Sequence, residues 1–312
     1  MKIIREISDV TGEKARAVTI GKFDGVHQGH RLLLAACAGQ KKHGLTSTVV
    51  TFTPTPEAYF TKTKEQRLLS ECELEAILAA AGIEELIYFP LHEATAKMTA
   101  TAFTEDFLIK KIKMKYICAG DDFRFGSGGQ GNKELLLRLA RQHHFTADFV
   151  PKMYLGEREI SSTYAREAVG SGNMALAADI LGDFFPVSGV VTRGKQLGRK
   201  LGFPTANVPW PSGKIIPPYG VYLSRVRTPG GEFTAISNIG TKPTVNDDIE
   251  KKTDDSGVGI ETYIYDYNGD LYDEQITVTL TEFLRPERKF PDIFALKEQV
   301  MRDIEAGAKQ IL

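Results

Sequence analysis

The sequence predicts two architectures in one chain: an α/β half with a parallel sheet, followed by an antiparallel β-barrel with a terminal helix. Three observations carry this. Up to about residue 184, short apolar runs alternate with helical patterns, as in parallel strands covered on both faces. From Phe185 onward most of the prolines gather, and runs of alternating polarity replace the helices, as in short strands whose edges a barrel hides. The 312 residues are 42% hydrophobic, enough for two cores. The expected halves are residues 1–184 and 185–312.

In the first half, strands are expected at 15–20, 47–52, 85–89, 116–119 and 146–150. Helices are expected at 30–42, 71–81, 102–113, 132–143, 163–169 and 174–181. Ser70 with Glu73 three residues on is a capping box ahead of the second helix. Gly44 and Gly82 stand where helix C-termini put glycine. In the second half, strands are expected within Val187–Thr192, Val221–Arg227, Phe233–Asn238, Thr262–Tyr267 and Gln275–Phe283. Pro229-Gly230-Gly231 and Asn268-Gly269 read as hairpin turns. Asn246–Gly259 is polar and charged, a solvated loop or a lid, and Pro291–Leu312 reads as a helix on the barrel.

The formal charge of −1 makes no electrostatic case for a nucleic-acid partner. No apolar run is long enough to span a bilayer, and the N-terminus lacks a signal-peptide core. Cys37, Cys72 and Cys118 have no metal-ligand spacing and sit in apolar contexts, so buried free thiols in a reducing cytoplasm are expected.

The most informative stretch is Gly21-Lys22-Phe23-Asp24-Gly25-Val26-His27-Gln28-Gly29-His30. It lies where the first strand turns into a helix, at the carboxyl edge where open α/β sheets bind ligands. Glycines let a backbone come close to a ligand, and the helix start offers unpaired N–H groups to an anion. His27 and His30 can donate to phosphate oxygens, and donors on the α-phosphate and on leaving pyrophosphate lower the barrier to attack. The bland reading is that the histidines only cap the helix.

This stretch resembles the nucleotidylyltransferase superfamily with the His-x-Gly-His signature. More closely, it resembles the adenylyltransferase half of the prokaryotic bifunctional riboflavin kinase/FAD synthetases. Gly120-Asp121-Asp122-Phe123-Arg124-Phe125-Gly126 resembles that family's loop near flavin and nucleotide. Ile160-Ser161-Ser162-Thr163-Tyr164-Ala165-Arg166 resembles its phosphate-holding segment, where Ser162 or Thr163 can cap a helix and Arg166 adds a guanidinium. The resemblance assigns Gly21, Phe23, Asp24, Gly25, Asp122, Phe123, Ser161, Ser162 and Thr163 to binding, and His27, His30 and Arg166 to catalysis. Around Phe52-Thr53-Pro54-Thr55-Pro56 the family carries an acid and a histidine, where this chain has threonines.

The second signal is Gly194-Lys195-Gln196-Leu197-Gly198-Arg199-Lys200-Leu201-Gly202-Phe203-Pro204-Thr205-Ala206-Asn207. Glycines and basic residues beside Pro-Thr-x-Asn suit a loop on a diphosphate, with hard oxygen ligands for Mg²⁺. The segment resembles the riboflavin kinase signature. That resemblance gives Gly194, Lys195, Gly198, Gly202, Pro204, Thr205 and Asn207 to the nucleotide, and Thr205 and Asn207 also to the metal. It makes Glu261 the base that takes the ribityl hydroxyl proton, and lays Arg285, within Arg285–Phe290, against flavin or adenine. Lys242-Pro243-Thr244 belongs to a further matching stretch. Asp273 replaces a usual glycine, at a turn cost of about 1 kcal/mol. Trp210 is either core or a ring that stacks on flavin.

The resemblance implies a Rossmann-like nucleotidylyltransferase domain and a riboflavin-kinase-like barrel. The implied enzyme makes FMN from riboflavin and ATP, then FAD and pyrophosphate from FMN and a second ATP, with Mg²⁺ for both steps. The alternatives are one activity alone, a flavin- or nucleotide-binding regulator, or an adenylyltransferase for another phosphate ester. Expected partners are riboflavin, FMN and ATP, without nucleic acid or membrane; the sequence gives no oligomeric state.

Overall fold

The computed structural model describes residues 1–11, 13–62, 66–194, 196–241 and 257–311. By its contacts the chain divides into two compact units, Met1–Glu65 with Leu74–Ser162, and Gln66–Glu73 with Thr163–Leu312.

The first unit is built on a parallel sheet of β1 (Lys2–Ile4), β2 (Arg16–Ile20), β3 (Thr46–Thr53), β4 (Glu85–Pro90), β5 (Met114–Gly120) and β6 (Thr146–Val150). Their order is β1-β4-β3-β2-β5-β6, and every pairing is parallel. All five expected strands form. The edge strand β1 was not expected, because three residues are too short to show a period. Every residue of central β2 is buried, as a strand covered on both faces requires. Its Arg16 is buried too, with Nε 2.7 Å from Glu85 Oε2 and further donors on the carbonyls of Thr11, Lys14 and Ile112. A buried guanidinium needs this full set of acceptors.

The helices Gln28–Ala38 and Lys133–His143 bury Leu33, Leu34 and Cys37, and Leu136, Leu139 and Ala140. The expected 102–113 helix forms as a turn at Ala100–Ala102 running into a π-wound stretch, Phe103–Lys111. The wider winding keeps Phe103, Phe107 and Leu108 in the core with Phe89 and Phe125. A small hairpin, β7 (Tyr154–Leu155) and β8 (Arg158–Glu159), precedes the helix Ser162–Gly170.

The second unit is an antiparallel sheet of β9 (Phe185–Val190), β10 (Ala206–Pro209), β11 (Gly220–Thr228), β12 (Gly231–Thr241), β13 (Val258–Ile264) and β14 (Gln275–Pro286). The order is β10-β13-β12-β11-β14-β9. A bridge between Thr192 and Asn207 brings the two edges together, so the sheet nearly closes into a barrel. Pro229-Gly230-Gly231 turns β11 into β12 as expected. Asn268-Gly269 does not make a hairpin: β13 and β14 are separated in the sheet by β12 and β11, so residues 265–274 cross over. The dipeptide favours a tight turn locally, but strand partnership is set by the barrel.

The tail forms the helix Ile293–Ile311. Val300 and Ile304 pack with Phe203, Val221 and Ile236, and Tyr265 donates to the Ile304 carbonyl at 2.7 Å. The contact boundary falls after Ser162 rather than after residue 184, because the helix Met174–Leu181 packs on β9 and β14. Residues 66–73 join the same unit. There Glu73 closes the expected capping box with Ser70, accepts from Ser188 N at 2.7 Å and pairs with the buried ammonium of Lys214. Trp210 is core, 5% exposed, with Nε1 donating to the Lys214 carbonyl. Cys37 and Cys118 are buried free thiols, but Cys72 is exposed, because it lies in the first turn of the Glu71–Ala80 helix, one residue from the buried Glu73. Burial pushes the Cys37 thiol up to about 12 and Cys118 up to about 11, so both are inert.

Candidate functional site

In the first unit, β2 delivers the chain to a turn with left-handed backbone at Phe23, Gly25 and Val26. His27 then holds the N-cap position of the Gln28–Ala38 helix, but its side chain makes no cap bond. The rings of His27 and His30 stack with centroids 3.8 Å apart, and Phe23 lies against His30 at 4.9 Å. A Cβ on Gly29 would stand 3.2 Å from His27 Cε1, so glycine there leaves room for the ring. Both Nδ1 atoms are buried and have no hydrogen-bond partner among the described residues. Burial holds the His27 pKa down at about 4 against the pull of Glu159, and holds His30 well below its usual range with help from His27. Two neutral imidazoles with unmet polar atoms, at the positive end of a helix, can donate to an anion. The helix-capping reading of this pair therefore fails.

Ser162 is the first residue of its helix, so the position ahead of it belongs to Ser161, not to Ser162 or Thr163. The Ser162 hydroxyl instead donates to the Asp24 carbonyl at 2.7 Å and ties the serine segment to the histidine loop. Arg166 belongs to the other contact unit, where its Nε donates to the Gln66 carbonyl. Asp122 pairs with Lys152, and Phe123 stacks on Phe125 at 5.3 Å. A cavity of about 670 Å³ opens in this unit, lined by Phe52, Tyr59, Phe60, Phe103, Arg124 and Phe125 among others. Its aromatic walls were not read from the sequence, since each ring alone looks like core. Thr53 ends β3, and Thr55 caps the helix Pro56–Thr61 by accepting from Ala58 N.

In the second unit the register of β10 and β13 places Asn207 directly opposite Glu261, and that of β12 and β13 sets Asn238 on Glu261's other side. Glu261 is exposed. It lines a cavity of about 240 Å³ with Phe203, Thr205, Tyr263, Arg285 and Phe290. A second cavity of about 310 Å³ is lined by Gly194, Arg199, Pro204, Thr205, Asn207 and Tyr272. Thr205 lines both. Gly198 lines the Glu261 cavity, and Gly202, at φ +94°, ends the intervening helix Leu197–Leu201. Arg285 lines the Glu261 cavity, but its Nε and Nη2 are held by the Asp303 carboxylate of the terminal helix. Lys195, Lys242–Thr244 and residues 246–256 of the expected lid lie outside the described residues.

No group of three His, Cys, Asp or Glu able to hold a metal exists among the described residues. The oxygens of Thr205 and Asn207 nevertheless fit Mg²⁺. Asn207 Nδ2 donates to the Thr205 carbonyl at 3.2 Å, which orients the amide. A Cβ on Gly194 would stand only 3.0 Å from Asn207 Oδ1, so the glycine leaves that oxygen its space. Two neutral hard oxygens suit a cation that keeps water and phosphate ligands.

Comparison with known proteins decides the family. A FAD synthetase family model matches residues 10–164, and a riboflavin kinase model matches residues 181–312. The bifunctional riboflavin kinase/FMN adenylyltransferase of Escherichia coli is 36% identical over 97% of this chain and 96% of its own. That of Pseudomonas fluorescens is 31% identical over 98% and 97%. The chain belongs to the bifunctional riboflavin kinase/FMN adenylyltransferase family. A solved structure named a macrolide-efflux protein, from Streptococcus pneumoniae, is 28% identical and covers 99% of each chain with a TM-score of 0.83. No helix among the described residues of the present family member is long and apolar enough to cross a membrane.

Proposed function

We propose that residues 185–312 phosphorylate riboflavin with ATP to give FMN and ADP, and that residues 1–184 transfer AMP from a second ATP to FMN, giving FAD and pyrophosphate. The single observation that carries the reading is Thr205, shared by two cavities of one barrel, one of which also holds Glu261. A kinase needs that arrangement: nucleotide on one side, acceptor and base on the other, and a common wall where the phosphoryl group passes.

In the kinase step, the Glu261 carboxylate takes the proton of the ribityl 5′-hydroxyl as that oxygen bonds to the γ-phosphorus and the bond to ADP breaks. Thr205 and Asn207 would hold Mg²⁺, which when bound neutralises phosphate charge. Asp303 fixes Arg285 at the wall of the flavin cavity. In the transferase step no protein nucleophile is used. A phosphate oxygen of FMN bonds to the α-phosphorus and pyrophosphate leaves. His27 and His30 donate N–H groups to the triphosphate, and Ser161 and Ser162 offer hydroxyls beside them; Thr163 and Arg166 keep the binding and catalytic roles that the resemblance to the family gives them. Gly21, Phe23, Asp24 and Gly25 shape the turn, and the aromatic cavity beside the loop of Asp122 and Phe123 suits the flavin ring.

We assign the two activities to residues 1–184 and 185–312, a division supported by the spans of the two family models. The partners are riboflavin, FMN and ATP, without nucleic acid or membrane. The cytoplasm supplies ATP and suits three free cysteines. Incubation of purified protein with riboflavin, ATP and Mg²⁺ tests the reading. FMN should form first and FAD follow, and failure of FAD to appear even from supplied FMN would remove the transferase assignment.

A further inference from the structure

One cation in the first unit joins segments that the adenylyl-transfer reading treats separately. Lys152 Nζ lies 3.0 Å from Asp122 Oδ2 and 2.8 Å from Glu159 Oε2. Asp122 stands in the 120–126 loop after β5. Glu159 ends the small hairpin, two residues before Ser161. Ser162, three residues after Glu159, donates to the Asp24 carbonyl at 2.7 Å and so ties this segment to the histidine loop, and the charge of Glu159 opposes the effect of burial at His27. Its partner ammonium is held firmly charged by the same two carboxylates.

Stability does not explain the cluster. The Lys152, Asp122 and Glu159 side chains are 37%, 62% and 41% exposed, and ion pairs that open to water contribute little to folding. A triphosphate arriving at His27 and His30 is a different matter, because it carries several negative charges and meets whatever net charge the rim presents. Two carboxylates and one ammonium leave one net negative charge, and without the ammonium there would be two. Lysine suits the position, since its compact charge and three donors can serve two carboxylates at once.

We propose that Lys152 is a positioning residue for adenylyl transfer. Its ammonium cancels carboxylate charge beside the histidine pair so that a nucleoside triphosphate is admitted, and it ties the 120–126 loop to the segment carrying Ser161 and Ser162. The inference rests on the adenylyl-transfer reading of this half.

The test is steady-state FAD formation from FMN by the full chain, with riboflavin phosphorylation measured alongside. Lys152→Met should raise KM for ATP about five- to tenfold, change kcat less than KM, and leave FMN formation unchanged. Lys152→Arg should stay near the parent enzyme. Lys152→Met combined with Glu159→Gln restores one net negative charge and should recover most of the loss in KM. The His27 imidazole signal should titrate at higher pH in Lys152→Met, because Glu159 is then uncompensated. An unchanged KM in Lys152→Met, a double variant as impaired as the single one, or a parallel fall in both activities would each overturn the proposal. A parent protein that makes no FAD from FMN would instead remove the reading beneath it.

Discussion

Val26 has a φ of +45° although it is β-branched and completely buried, and Phe23 at +48° is equally buried. Such residues persist in left-handed backbone only where the surroundings over-determine them, and here they aim the chain so that His27 and His30 stack. Burial keeps both imidazoles neutral, so the site donates hydrogen bonds without a resident charge. The folded His27 pKa of about 4 lies below the ordinary 6.5, so the unfolded chain binds the extra proton between these values. The contribution of His27 to stability is therefore full above about 6.5 and fades as pH falls toward 4. Imidazole NMR should place the His27 titration near pH 4 in the free protein and higher with a bound triphosphate; an ordinary value in the free protein would remove the burial argument. On the other half, Glu261→Ala should lower FMN formation by roughly 10²–10⁴-fold while FAD formation from supplied FMN persists. Equal collapse of both activities would refute the division of labour.

Local chemistry decides individual turns and caps. The Ser70–Glu73 box is realised with both reciprocal bonds, and Thr55 and Asn132 cap their helices by accepting from Ala58 N and Leu135 N. The crossover between β13 and β14 holds Asp273 at φ +65°, a conformation that glycine adopts without penalty. Asp273→Gly should therefore stabilise the protein, by less than about 1 kcal/mol because glycine also loses more entropy on folding. Denaturant unfolding would check it, and a loss of stability would show that the Asp273 side chain holds the loop. At the first site, Gly29→Ala would press a methyl toward the His27 ring and should reduce FAD formation selectively. Riboflavin phosphorylation by the same variant is the control.

At the scale of the molecule, each compact unit draws on two separate stretches of the sequence. Residues 66–73 leave the first sheet's chain and pack with the barrel unit, where Glu73 and Lys214 are buried as an ion pair. The Lys214 ammonium also donates to the Leu68 carbonyl and sits over the Phe185 ring. A buried pair is weak evidence for stability in itself, but breaking it strands a charge. Glu73→Gln should destabilise the protein by about 3–5 kcal/mol, with the largest effect on the unit that contains Lys214. Unfolding followed by Trp210 fluorescence reports on that unit, since Trp210 donates to the Lys214 carbonyl. An unchanged midpoint would mean that the glutamate is dispensable there.

Periodicity and local spacing were enough to determine the alternation of strands and helices, the barrel and the capping box, because their signals are written in short stretches of consecutive residues. The histidine turn and the Pro-Thr-x-Asn loop carry their physics locally, in glycines that make room for the His27 ring and for Asn207 Oδ1. What spans long separations was decided only by the folded chain. Arg16 meets Glu85, Glu73 meets Lys214, and Lys152 meets Asp122, none of which has a sequence signature. The aromatic cavity likewise appears only when Phe52, Tyr59 and Phe125 are brought together. Asn268-Gly269 shows the limit from the other side: a good local turn cannot choose its strand's partner, because the hydrogen-bonded edge it meets is set by closure of the whole barrel.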